Sequence, residues 1–303
     1  MMIISLLSLQ SVQKTYKRKT VLHELSLDVN KGESIALLGK NGSGKSTLLK
    51  IMAGVMPPSS GKVTACRPDL VIGYVPERFP KALRFTPEEY LMYMGTFQQI
   101  PKTALNRIIT DLLERFSIKH ARSKRIETFS KGMVQKVAIM QALLTKPDLL
   151  ILDEPLSGLD LKTQHELLDI IQDLQKQGLT AILTFHESDL LAQAADRLIV
   201  MKEGIVQSDM LLSQLDKPQI EAAVTSMELS VLQSWPGVHR SAENYGVVTF
   251  YANLEDSDQI LLRILEHGGS ICSVNQLNPI RKLISTAYAN SDEKAGDTIE
   301  NTD

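Results

Sequence analysis

Residues Gly39, Lys40, Asn41, Gly42, Ser43, Gly44, Lys45, Ser46 and Thr47 read G-x-x-x-x-G-K-S-T. In that spacing the glycines let the backbone wrap an anion with its N–H groups pointing inward. Lys45 then brings a positive charge to the β and γ phosphates, and the Ser46 hydroxyl is placed to ligate Mg²⁺. A second pair of chemical groups closes an apolar run: Leu149, Leu150, Ile151 and Leu152 lead into Asp153 and Glu154. An acid at a strand end holds Mg²⁺, and an acid one residue on reaches a water in line with the γ phosphate and takes its proton. On their own, Asp153 and Glu154 read equally well as caps of the helix after Pro155; beside a phosphate loop, the metal and base roles prevail. Guanine specificity calls for N-K-x-D downstream of the loop. Asn30, Lys31, Gly32 and Glu33 lie upstream, with Glu in place of Asp, so guanine is not supported.

These groups need elements to hold them. Ser34–Gly39 is an apolar, strand-like run before the loop, and Leu48–Ala53 is a helical run after it. Gly54 then ends the helix and Pro57 and Pro58 prevent its return. Strand-like runs at 34–39, 149–153, 180–185 and 197–201 alternate with helical patterns, which predicts an α/β core with a parallel sheet covered by helices. Residues 3–12 and 21–29 alternate apolar and polar residues instead and predict an antiparallel flap. Helical periodicity at 87–97, 102–116 and 131–145 predicts an inserted helical subdomain over about 80–145. Beyond residue 218 the pattern is strand 220–226, helix 229–235, a further strand near His239, strand 246–251, helix 256–267 capped by Gly268 and Gly269, and strand 270–276. That order predicts a small ferredoxin-like α+β unit over 219–289. Residues 290–303 hold five acids and one Lys and are expected to be a disordered acidic tail.

The 303 residues are 43% hydrophobic and 22% charged, a globular balance that excludes wholesale disorder and collagen-like or disulfide-stapled scaffolds. Residues 1–219 carry 28 Lys+Arg against 23 Asp+Glu, while residues 220–303 carry 5 against 12, so the second part is acidic. No basic stripe is present, and nucleic acid is not expected as a partner. Uncharged stretches such as 1–13 and 179–185 fall short of the ~20 apolar residues of a membrane span. Met1 to Leu9 lacks a basic start and a small-residue cleavage site, so no signal peptide is expected. Cys66 and Cys272, far apart in sequence, fit free thiols in a reducing cytosol.

Three further strings complete a pattern: Phe129, Ser130, Lys131, Gly132, Met133; then Ser157, Gly158, Leu159, Asp160; then His186 after another strand. With the phosphate loop and the acid-tipped strand, these five motifs in order over about residues 3–205 make the chain resemble the ATP-binding subunit of an ABC transporter. The resemblance implies a P-loop NTPase with a RecA-like parallel sheet, ATP and Mg²⁺ as cofactors, and ATP hydrolysis. By position it implies that Tyr16 stacks on adenine, that Glu154 is the general base, and that His186 sits near the γ phosphate and the attacking water. It also implies that Ser130 and Gly132 contact ATP held by an opposite subunit and that Asp160 crosses the dimer interface. Two departures stand out. The family's usual L-S-G-G-Q is Phe129–Met133 here, a form that resembles many export-type members. Glu77, in Gly73-Tyr74-Val75-Pro76-Glu77, stands where many members have a glutamine that senses Mg²⁺ and the membrane partner; a carboxylate there can still ligate a hard cation.

The expected function is therefore that of an ATP-hydrolysing subunit that powers an exporter through ATP-driven dimerisation. Its partners would be a second copy or paralogue and a separate integral-membrane permease, at the cytoplasmic face of the membrane. An importer ATPase and a soluble ABC ATPase of cofactor assembly are the alternatives. Translation-type members carry two cassettes and repair-type members a long coiled coil, and neither a repeat nor room for a coiled coil is present.

Overall fold

The computed structural model describes residues 4–80, 83–185, 195–215, 219–277 and 280. The chain divides into two compact units, Met1–Leu212 and Ser213–Asp303, a division ahead of the boundary expected at residue 218. His186 and the acidic tail expected over 290–303 lie outside the described residues.

The first unit is α/β. Strands β1 (Ser5–Tyr16) and β2 (Lys19–Asn30) form an antiparallel hairpin, and β4 (Ser60–Ala65) adds to the free side of β1. Six strands make the main sheet, in the order β5 (Ile72–Val75), β6 (Leu149–Leu152), β7 (Thr180–Thr184), β3 (Ser34–Leu38), β8 (Arg197–Lys202) and β9 (Ile205–Leu211). The first five are parallel, and β9 returns antiparallel to β8. Every residue of β3, β6 and β7 is buried, which is why they read as continuous apolar runs: a parallel strand covered on both faces has no solvent side to make polar. The phosphate-loop strand β3 and the acid-tipped strand β6 flank β7, so both motifs emerge at the same C-terminal edge of the sheet, the place where open α/β sheets bind ligands.

One apolar cluster glues the small sheet to the main one. Leu7, Leu9 and Val29 meet Ile35, Leu37, Ile151 and Ile182, with Leu48, Leu49 and Met52 of helix α1 (Lys45–Met52) between them. At about 1.5–3 kcal/mol for each large side chain removed from water, this contact fixes the loop between β3 and α1 on a rigid base. Helices α2 (Pro87–Phe97), α3 (Lys102–Arg115) and α4 (Lys131–Leu143) form the inserted helical segment. Thr86 and Glu89 form a capping box at the start of α2 with Pro87 in its first turn, so its start coincides with the one predicted from sequence. An Arg122–Glu88 ion pair ties the loop after α3 back to α2. Helix α5 (Leu161–Lys176) follows β6. Strands β4, β5 and β9 carry no sequence prediction: β5 has four residues, and β4 and β9 are largely exposed, so neither length nor an apolar run marks them.

The second unit has the order β10 (Gln219–Thr225), α6 (Leu229–Gln233), β11 (Val238–Asn244), β12 (Val247–Asn253), α7 (Ser257–Glu266), β13 (Ser270–Leu277). All neighbours are antiparallel in the order β11-β12-β10-β13, the ferredoxin-like arrangement. In β10 and β12 every second residue is buried, and Ile220, Ala222, Val224, Val248 and Phe250 pack under Leu232, Trp235, Ile260 and Ile264. Among the described residues no helix is long and apolar enough to cross a membrane, and both cysteines are free and exposed.

Candidate functional site

The loop from β3 to α1 has the backbone that the glycines permit. Gly39, Gly42 and Gly44 all have positive φ, and Gly44 (φ 102°) is the N-cap of α1. A Cβ on Gly39 would lie 2.5 Å from the Met201 carbonyl oxygen, and one on Gly44 would lie 2.7 Å from Leu22, so neither position accepts a side chain. The loop surrounds Lys45, whose Nζ donates to the carbonyl oxygens of Gly39 at 2.5 Å and Lys40 at 3.2 Å. Lys45 is only 5% exposed, and the Ser43 hydroxyl beside it is buried with no partner, a donor left for an incoming anion.

Asp153, 2% exposed at the end of β6, faces the loop. It accepts hydrogen bonds from the Ser46 hydroxyl and from Thr184 Oγ1, the latter at 3.1 Å. Thr184, at the end of β7, also accepts the backbone N–H of Glu154 at 2.5 Å, so one hydroxyl fixes both acids. Glu154 has φ 52°, a left-handed conformation that turns the chain sharply at the strand end. Burial holds the Lys45 ammonium below its ordinary pKa, opposed by the carboxylates of Glu154, Asp153 and Glu77. Burial raises the Asp153 carboxyl, opposed by its hydrogen bonds from Ser46 and Thr184. Tyr74 on β5 is pushed up to about 12 by burial and by the negative Asp153 and Glu77, and its hydroxyl has no partner. A cleft of about 320 Å³ opens above these groups, lined by Val21, Asn41, Gly42, Gly44, Lys45, Ser46, Thr47, Glu77 and Glu154. One side of it is the glycine loop with the Lys45 ammonium; the other offers the carboxylates of Glu77 and Glu154.

Those oxygens fit magnesium. Mg²⁺ in phosphate sites takes one or two protein carboxylates together with substrate oxygens. Ser46 and Asp153 already touch each other, and exposed Glu77 lines the same cleft. Among the described residues no cluster of three or more His, Cys, Asp or Glu is built to hold a metal without a nucleotide.

The remaining sequence candidates form a separate end of the unit. Ser130 is the N-cap of α4, its hydroxyl accepting from the Met133 N–H at 3.3 Å. Asp160 is the N-cap of α5 and accepts from Thr163 N and Thr163 Oγ1, each at 2.9 Å; the first of these bonds, with the second, holds its carboxyl below the usual range. Gly132 is the contact point between the helices, since a Cβ there would come within 2.6 Å of Thr163 Cγ2. Farther along, Lys136 pairs with Glu166 at 2.8 Å. Two helix N-termini thus lie side by side with Ser130 and Asp160 exposed at their tips, and none of Ser130, Gly132 or Asp160 lines the cleft. Tyr16, at the end of β1, is 41% exposed, with its hydroxyl on Met56 Sδ at 2.9 Å and Lys14 Nζ 5.5 Å from its ring; it too lies outside the cleft lining. Thr184, Tyr74 and Val21 join the site without having been singled out from sequence. Thr184 is the last residue of β7, and it meets Asp153 and Glu154 only because β7 lies beside β6 in the sheet.

The ABC transporter family model matches residues 22–157. The ABC transporter ATP-binding protein YxlF of Bacillus subtilis is 32% identical over 234 residues, covering 76% of this chain and 79% of that protein. The linearmycin resistance ATP-binding protein LnrL of the same organism is 31% identical over 208 residues, 66% of this chain and 67% of that protein. The zinc import ATP-binding protein ZnuC of Histophilus somni is 35% identical over 204 residues, 66% of this chain and 74% of that protein. Among solved structures, an ATP-binding subunit of an ABC transporter is 30% identical with a TM-score of 0.62, over 69% of this chain and 91% of that one. A dimeric ATP-binding cassette in a post-hydrolysis state bound to ADP and Pi is 25% identical with a TM-score of 0.61, over 68% and 98%. By sequence and by fold the chain belongs to the ABC transporter family, as an ATP-binding subunit with the family's ATPase activity.

Proposed function

We propose that the cleft between the Gly39–Thr47 loop and the tips of β6 and β7 hydrolyses Mg²⁺-ATP, and that this chain drives export through a separate membrane permease. The observation that carries the chemistry is the convergence of buried Lys45 with Asp153, Glu154 and Glu77 around one cleft. Loop N–H groups, Ser43 and Lys45 bind and orient the phosphates. Ser46, Asp153 and Glu77 would hold the cation, which when bound neutralises phosphate charge. Glu154, aimed by its backbone bond to Thr184, takes the proton of the attacking water. His186 is assigned to hold that water and the γ phosphate in line, and the exposed ring of Tyr16 to stack on adenine.

Ser130, Gly132 and Asp160 are assigned to a second copy's nucleotide. Exposed helix N-termini attract phosphate, and these do not line their own subunit's cleft. ATP would therefore bind between two head-to-tail copies. For the membrane partner, Phe85, Tyr93 and Phe97 give an exposed aromatic face at α2, with Phe85 stacked on Tyr93 at 6.3 Å, while Tyr90 is held inward on Gln141 at 2.6 Å. The export reading is supported by the S-K-G-M signature, the appended second unit and the likeness to a resistance ATPase; the likeness to a zinc-import ATPase supports the importer reading. The working place of the chain would be the cytoplasmic face of the membrane.

Glu154→Gln tests the chemistry. It should bind ATP at least as well as the parent, accumulate as an ATP-bound dimer, and turn over roughly 10²- to 10⁴-fold more slowly. Lys45→Ala should instead lose nucleotide binding itself. Near-normal turnover in Glu154→Gln would remove Glu154 from the base role.

A further inference from the structure

Helix α5 buries one stripe, Gln164, Leu167, Leu168 and Ile171, spaced three and four residues apart as a single helix face requires. Three members are aliphatic, and the fourth is an amide only 8% exposed. A polar head at a core position is costly unless its bonds are made, so Gln164 calls for a reason that packing does not give. Its Nε2 supplies one, donating to the carbonyl oxygens of Leu156 at 3.2 Å and Leu159 at 3.3 Å. Its Oε1 is buried without a partner among the described residues, so this side chain is satisfied on the donor side alone.

Both acceptors lie in the turn that joins Glu154 to Asp160. Within the turn the Ser157 N–H donates to the Glu154 oxygen at 3.2 Å and the Leu159 N–H to the Leu156 oxygen at 3.3 Å, with Gly158 at φ 63° between them. A peptide bond is planar, so a carbonyl and the N–H of the next residue move as one unit. Fixing the Leu156 oxygen therefore fixes the Ser157 N–H that holds the Glu154 carbonyl, and fixing the Leu159 oxygen fixes the peptide from which Asp160 starts. Glu154 keeps its left-handed φ of 52° only while both its peptides are tethered: Thr184 takes its N–H, and the turn takes its carbonyl.

We propose that, given the roles of Glu154 and Asp160 set out above, Gln164 is a positioning residue for the ATPase reaction, its two donor bonds locking the turn and with it both acids. Gln164 lines no part of the cleft and acts through the turn alone. One amide then serves both chemical ends of the unit. It steadies the base at this chain's own cleft and the residue assigned to another chain's nucleotide.

Two variants of the full chain test this. Gln164→Leu completes the apolar stripe and Gln164→Met keeps the side chain's length, and both delete the donors. Each should melt within about 4 °C of the parent or higher, because the apolar burial gained offsets the bonds lost. Amide exchange at Ser157 and Leu159 should quicken by about tenfold or more, while the later turns of α5 keep their protection. With Mg²⁺ and ATP, kcat should fall about 10- to 100-fold with KM nearly unchanged, the effect of displacing a reacting group by about 1 Å. In a Glu154→Gln background, Gln164→Leu should also weaken the ATP-dependent dimer by about tenfold, which reads the Asp160 end. A packing role alone predicts the reverse, a lower melting temperature with kcat intact. That outcome overturns the proposal, as does unchanged exchange at Ser157 and Leu159, or a turn that loosens without loss of turnover. Near-normal turnover in Glu154→Gln overturns the base role whatever Gln164→Leu does, so the two readings fail on different variants.

Discussion

The two chemical ends of the first unit are built on opposite plans. At the phosphate loop the working groups are sunk into the fold: Lys45 and Asp153 are buried, Thr184 bridges Asp153 to Glu154, and the glycines stand where side chains would collide. At the signature end Ser130 and Asp160 are exposed, and their side chains hydrogen-bond the first turns of the helices they cap. Burial of charge is costly and the partners that the fold supplies offset it only in part, so the first end is a preassembled receptor that carries a burial cost until its ligand arrives. On the reading proposed above the second is half of one: exposed helix ends, α5 capped by the Asp160 carboxylate, whose phosphate would come from another subunit. If so, the difference separates residues that answer to their own chain from residues that answer to another.

The largest expected effect follows from that contrast. Ser130→Arg should lower turnover per subunit in the assembled transporter by about 10²-fold or more, because it puts bulk and charge where another subunit's γ phosphate would sit. It also removes the cap of α4, a loss of about 1 kcal/mol that a purely local role would explain as well. Ser130→Asp separates the two. Asp is as good an N-cap as Ser but repels phosphate, so it should keep the melting temperature and still lose turnover. Full activity in Ser130→Asp would erase the contrast and make Ser130 a cap alone.

The same contrast governs what could be read from sequence. The phosphate loop, Asp153 and Glu154 were legible because their chemistry fixes spacing within one short segment, and β3, β6 and β7 because double-sided burial leaves a continuous apolar run. The ferredoxin-like order was legible from the alternation in β10 and β12. Thr184 and Tyr74 were not: they reach the site from β7 and β5, brought there by sheet order, and nothing in their local sequence states which strand lies beside β6. The closeness of Gly132 to Thr163 was hidden for the same reason, since helix packing joins segments 31 positions apart. Spacing inside a segment is written in the sequence; adjacency between segments is decided by packing.

A smaller effect should come from Thr184→Val, which keeps the shape of the strand end and deletes its hydroxyl. Asp153 then loses one hydrogen bond and the Glu154 N–H loses its acceptor. Hydrogen bonds to charged groups contribute about 1.5–3 kcal/mol, which corresponds to roughly 10- to 100-fold in rate if the acids drift from their working positions. The loss should appear in kcat with KM for ATP nearly unchanged, and Thr184→Ser should restore it. A change in KM alone would mean that Thr184 supports the loop and not the acids.

The smallest effect sharpens the claim that the phosphate-loop end carries a burial cost until its ligand arrives. Burial raises the Asp153 pKa, and together with repulsion from Glu154 it outweighs the hydrogen bonds from Ser46 and Thr184 and the attraction of Lys45. An acid whose folded pKa lies above its unfolded value binds more protons folded than unfolded. Its destabilising contribution is therefore fully present above the folded pKa and disappears as pH falls through it toward the unfolded value. Asp153→Asn removes the charge and keeps an oxygen that accepts from the same donors. Without nucleotide it should raise the melting temperature at neutral pH by about 2–4 °C, a gain that fades in acid where the parent's carboxyl is itself protonated. With Mg²⁺ and ATP the order should invert, because only the parent gains the stability of the bound complex. A variant that melts lower than the parent in both conditions would show that Asp153 is a structural partner of Lys45, and the two ends would then differ in exposure alone.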